Sequence, residues 1–117
     1  MSRREKRVET IFKLYLYDLL EVKEDSEDND LFNKVLENLE HIDEVISNVI
    51  KGYTLSRLSY LDRAIIRLAT YEIIYTNTPK EIIINEAIEI TKKYSDIDDK
   101  QRRFNNRLLE NIKESLD

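Results

Sequence analysis

One glycine and one proline in 117 residues leave this chain few ways to reverse direction. A sandwich or barrel needs turn residues between every pair of strands, and Gly52 and Pro79 are the only strong breakers present. Ile, Leu, Lys, Glu and Asn abound instead, which suits helices joined by polar connections. The expected class is therefore all-α, a compact helical bundle. At this length one domain spanning residues 1–117 is the natural expectation, with roughly two thirds of the unfolded surface buried on folding.

The stretch from Tyr53 to Asn85 organises the pattern. Leu61, Ala64, Ile65, Leu68, Ala69, Glu72 and Ile73 recur at helical spacing. Ser59 stands where its hydroxyl accepts from the Asp62 backbone N–H, and the Asp62 carboxylate then sits at the positive helix end. Thr76-Asn77-Thr78-Pro79 ends the helix. So broad an apolar face predicts a central helix covered on more than one side.

Around it, residues 3–20 read as a first helix with Val8, Ile11, Phe12, Tyr15, Leu19 and Leu20 as its apolar stripe. Residues 21–30 read as a solvated acidic loop. Residues 31–51 read as one helix, or two with a break near His41, closed by Gly52. Leu55 to Leu58 suit a short turn. After Pro79 the β-branched run Ile82-Ile83-Ile84 favours an extended approach, with a helix starting near Ile84 and Asn85 as its cap; a start at Thr78-Pro-Lys-Glu81 is the alternative. Asp98 or Asp99 caps a last helix whose stripe is Phe104, Leu108, Leu109, Ile112 and Leu116.

The net charge of −5 hides an asymmetry. Arg3, Arg4, Lys6 and Arg7 outweigh Glu5 at the start, and Lys100, Arg102, Arg103 and Arg107 form a second basic group. Overall acidity therefore does not exclude a local nucleic-acid site. Cations at a helix N-terminus oppose the helix dipole, which suggests that they serve another purpose. They would supply phosphate contacts, and Tyr15 or Tyr17 could stack an unpaired base, the alternative being that each is half core. For that, the last helix would have to pack near the first and bring Lys100 to Arg103 beside Arg3 to Arg7. Arg63, Arg67, Asp62 and Glu72 read as ion pairs at the edge of the buried face, worth a few tenths of a kcal/mol each.

Enzyme chemistry has no visible carrier. Cysteine is absent, and the single histidine, His41, makes neither a catalytic triad nor a metal cluster. One glycine cannot form a phosphate-cradling loop. No apolar run approaches the roughly 18 residues of a membrane span, and Glu9, Lys13 and Asp18 interrupt any secretory signal. The expectation is a soluble cytoplasmic protein with no catalytic set, metal or cofactor.

Several segments together are specific. Leu61-Asp-Arg-Ala-Ile-Ile-Arg-Leu-Ala-Thr-Tyr-Glu72 is followed by Ile84-Asn85-Glu86-Ala87-Ile88-Glu89, and Phe104-x-Asn106-x-x-Leu109 closes the chain. With the basic opening helix Arg4 to Tyr15, these resemble the NusB family of transcription antitermination factors over essentially the whole chain. The resemblance implies about six to seven helices in two antiparallel subbundles. It implies binding of single-stranded boxA-type RNA from ribosomal RNA leaders, pairing with ribosomal protein NusE, and entry into the antitermination complex of RNA polymerase. It places Arg3, Arg4, Lys6, Arg7 and Tyr15, with Lys92, on the RNA side; Lys100 and Arg103 join them from the second basic group. It places Tyr53, Asp62 and the exposed side of the central helix toward NusE, where an acidic face suits a basic partner.

This sequence departs from the family pattern at Phe104-Asn105-Asn106-Arg107, where a glycine is usual at position 107, and in a longer 95–101 loop. Those departures border the implied RNA site and motivate an alternative: a helical adaptor that keeps NusE and has lost specific RNA binding. NusB-like domains also begin RNA cytosine methyltransferases, but no catalytic domain or cysteine follows here. Homodimerisation through the same apolar and acidic surface is a third reading.

Overall fold

The computed structural model describes residues 2–21, 29–50, 54–95 and 97–117. Most of the acidic loop, the proposed Gly52 terminator and Tyr53 lie outside the described residues. Among the described residues there are six α-helices and no strand: α1 (Arg3–Leu20), α2 (Asp30–Glu37), α3 (Leu39–Val49), α4 (Tyr60–Tyr75), α5 (Lys80–Tyr94) and α6 (Lys100–Ser115). A short 3-10 turn, Leu55–Arg57, leads into α4. The all-α expectation holds. No described helix is long and apolar enough to cross a membrane.

Helix α4 is the axis of the bundle, and every residue from Ala64 to Ile73 is buried. A helix covered all round must be enclosed by neighbours, and α1, α2, α3, α5 and α6 all pack on it. Its start is as expected: Ser59 Oγ accepts from the Asp62 N–H at 3.1 Å. Helices α1, α2 and α3 group on one flank and α5 and α6 on the other, with α4 shared and α3 reaching α6. Arg7 meets Glu72 and Asp18 meets Arg63, so α1 and α4 run antiparallel. Arg4 meets Glu86 and Phe12 meets Tyr94, so α1 and α5 run parallel.

Several local expectations need correction. In α1 the buried face is Arg7, Thr10, Ile11 and Leu14, whereas Phe12, Leu19 and Leu20 point outward. Apolar residues alone do not set the phase of this face, because Arg7, paired with Glu72, takes an inward position. The break in 31–51 falls at Asn38, before His41: its Nδ2 donates to the Lys34 carbonyl at 2.8 Å and its N–H to the Val35 carbonyl at 3.1 Å, closing α2. Helix α5 begins at Lys80 and not near Ile84, so Asn85 lies inside it and caps nothing. Pro79 stands at the cap, and its carbonyl accepts from Ile82 and Ile83 N–H groups at 3.0 and 3.1 Å. β-Branching costs only tenths of a kcal/mol per helical residue, whereas burying Ile83 and Ile84 is worth about 1.5–3 kcal/mol each. Helix α6 follows Asp99, which has a positive φ of 68° and no side-chain cap; Asp98 Oδ1 accepts from the Lys100 N–H at 3.3 Å instead. Of the expected α6 stripe, Leu116 is exposed, and Asn105 is buried in its place.

Candidate nucleic-acid interface

The basic end of α1 is held by a complete capping box. Ser2 Oγ accepts from the Glu5 N–H at 3.1 Å, and the Ser2 N–H donates to the Glu5 carboxylate at 3.4 Å. Glu5 also offsets the unfavourable effect of cations on the helix dipole. From this turn Arg3 projects into solvent without an ion pair among the described residues. Lys6 lies 3.9 Å from Glu9.

Arg4 and Arg7 have different fates. Arg7 is 6 % exposed, and its guanidinium grips Glu72 of α4, with Nε–Oε2 and NH2–Oε1 distances of 2.9 Å each. Its NH1 lies 3.5 Å from Glu86 of α5. Arg4 then takes the outer side of Glu86 with Nε at 2.8 Å and NH2 on the second oxygen. The four side chains form a ladder of alternating charge, Glu72–Arg7–Glu86–Arg4, from core to surface. Hydrogen bonding from Arg4 lowers the Glu86 carboxyl below its ordinary value, against a smaller opposing effect of burial. The same bond raises the Arg4 guanidinium, and the Glu72 bond raises Arg7. Arg7 is therefore corrected from a phosphate contact to an interior anchor. The signal available in the sequence was its helical spacing to Ile11 and Leu14, which puts it on the buried face.

Tyr15 is half-buried and meets Tyr60 edge-on, with ring centroids 6.4 Å apart. Beyond it, Asp18 accepts from Arg67 at 2.8 Å and Arg63 at 3.3 Å, and Arg67 also holds Asp43 in a two-bond pair. The expected edge pairs are thus a part-buried network that joins α1, α3 and α4, with Asp18 and Asp43 as the acids.

The second basic group is not beside the first. Lys92, Lys100 and Arg103 are exposed, but α5 meets α1 through Arg4–Glu86 and Phe12–Tyr94, and meets α6 through Glu81–Lys113 and Lys80–Asp117. Helix α5, which carries Lys92, stands between the α1 cations and Lys100 and Arg103 of α6. A shallow groove of about 300 Å³ between α5 and α6 carries Asn85, Arg103 and Asn106. Arg107, the departure from the family pattern, is exposed at a groove of about 710 Å³ formed by α3 and α6 beside Phe104.

Asp62 is also corrected. It is 4 % exposed, with its carboxylate turned into the bundle. Its Oδ2 accepts from Ser59 Oγ at 2.7 Å, and its Oδ1 accepts from Ser95 Oγ at 2.6 Å and Asn105 Nδ2 at 3.3 Å. It ties the start of α4 to the end of α5 and the start of α6. Asn105 and Glu86 are the positioning residues that sequence reasoning missed. Each acts through a contact far along the chain.

Fold and surface together define a small all-helical protein that presents cations from one helix end, held there by an internal ion-pair ladder. The chain belongs to the NusB family, whose sequence profile matches residues 2–114. The transcription antitermination protein NusB of Staphylococcus aureus strain JH9 is 38 % identical over 130 aligned residues, covering 97 % of this chain and 99 % of that protein. This is a regulatory family and not a catalytic one. The structure of T. maritima NusB superposes with a TM-score of 0.84 at 31 % identity, over 97 % of this chain and 92 % of that one. A chain in the structure of a plectonemic RNA supercoil gives a TM-score of 0.81 at 23 % identity, over 98 % and 97 %, and shares the fold.

Proposed function

We propose that this protein is a cytoplasmic transcription antitermination factor that binds single-stranded boxA-type RNA of ribosomal RNA leaders together with ribosomal protein NusE and acts on elongating RNA polymerase. Family membership supports the regulatory role. The observation that carries the RNA reading is the outward placement of Arg3, Arg4 and Lys6 on a capped first turn. Backbone contacts from such a turn position a strand, while sequence preference needs contacts to base edges. Lys92 on α5 and Lys100 and Arg103 on α6 supply a second set of phosphate contacts, and the rim of Tyr15 offers a stacking face. So few cations bind weakly alone, which makes a second protein on the same RNA necessary. The NusE-facing surface then lies on exposed parts of the bundle and not at Asp62.

The test is fluorescence anisotropy of a labelled boxA RNA and a scrambled control, with and without NusE. The expected result is preference for boxA that strengthens with NusE. NusE binding without any preference between the two RNAs would favour the adaptor reading, and a size measurement in the same samples would reveal homodimers.

A further inference from the structure

We propose that Glu86 is a built-in competitor for RNA phosphate: it occupies the Arg4 guanidinium in the unbound protein and yields it when a phosphate arrives. The inference rests on the reading that the start of α1 binds RNA.

The Arg4 fork engages Glu86 through Nε and NH2, the edge of the guanidinium best suited to a two-bond phosphate contact. A carboxylate and a phosphate cannot both hold that edge. The Arg4 side chain is 48 % exposed, so an incoming strand reaches it, whereas that of Glu86 is only 17 % exposed and stays in place. Glu86 is not orphaned when Arg4 leaves, because Arg7 NH1 remains 3.5 Å away on its inner side. Arg7 cannot replace Arg4 at the surface, since it is buried and bound to Glu72. The exchange therefore removes one partially solvated ion pair and leaves no buried charge unpaired. It lowers affinity for any single strand without regard to sequence, so retention on RNA depends on further contacts.

The test measures anisotropy of a labelled single-stranded boxA RNA and its scrambled control over a salt series. The proteins are wild type, Glu86→Gln, Glu86→Asp, Arg4→Ala and the Arg4→Ala/Glu86→Gln double variant, each checked for helicity by circular dichroism. Glu86→Gln should bind both RNAs roughly two- to tenfold more tightly, with the log-salt slope of wild type, because Arg4 reaches the same phosphate in both proteins. Glu86→Asp keeps the charge but withdraws it from Arg4, and should give part of that gain. The gain should vanish in the Arg4→Ala background. Weaker or unchanged binding of folded Glu86→Gln, while wild type binds, would overturn the competitor and leave the RNA reading standing. A gain that persists without Arg4 would also overturn it. If neither wild type nor Glu86→Gln binds RNA at low salt, both readings fall.

Discussion

Arg7 of α1 and Glu72 of α4 form a buried two-bond ion pair, with side chains 8 % and 10 % exposed, at the contact that joins the opening helix to the central one. Two charges taken from water need each other far more than they favour the fold. Arg7→Ala should therefore destabilise the protein by about 3–5 kcal/mol in denaturant unfolding, because Glu72 is left buried and only distantly compensated. Replacing both residues together, Arg7→Met with Glu72→Leu, should cost much less. A mild effect of Arg7→Ala on stability with a large loss of RNA binding would contradict the interior assignment.

Asp62 accepts three side-chain hydrogen bonds from Ser59, Ser95 and Asn105, and its backbone is capped by Ser59. Hydrogen bonds to a charged group contribute about 1.5–3 kcal/mol each. Asp62→Ala should lower stability by at least about 2 kcal/mol and loosen the start of α6, seen as faster hydrogen exchange there. Full stability with loss of a protein partner would restore Asp62 to the surface.

The register of α5 makes neighbouring isoleucines unequal. Ile83 is 1 % exposed and Ile82 is 49 % exposed. Ile83→Ala should cost about 2–5 kcal/mol, and Ile82→Ala should stay within about 0.5 kcal/mol. Equal costs would mean that the segment is not helical from Lys80.

Glu86 gives the acid response a sign. Pairing with Arg4 lowers its folded-state pKa below the ordinary 4.5. Its contribution to stability is present above pH 4.5 and is lost as pH falls through the lower folded value. Urea midpoints of wild type should fall more steeply than those of Glu86→Gln in that window. Parallel curves would show that Glu86 is unpaired in solution.

What the sequence made legible was local. The Ser59–Asp62 cap, the α4 stripe and the short turn before α4 need only neighbours a turn away. In the isoleucine run the β-branched residues suggest an extended approach, but the burial of Ile83 and Ile84 outweighs that preference and the helix starts in the alternative position after Pro79. The resemblance places Arg7 and Asp62 on binding surfaces, and only their contacts with Glu72, Ser95 and Asn105, far along the chain, show that they are buried. The separation of the two basic groups by α5 follows from helix directions, which no local pattern encodes.

The central claim is that the exposed cations at the start of α1 bind RNA. The most direct measurement compares the affinity and salt slope of boxA RNA for wild type, Arg3→Ala/Arg4→Ala and Lys100→Ala/Arg103→Ala. Loss of affinity in the α1 variant, with a slope shallower by about 0.7 for each phosphate contact removed, is the predicted result. Wild-type affinity and slope in that variant, with the loss confined to Lys100→Ala/Arg103→Ala, would contradict it and move the RNA site to α6.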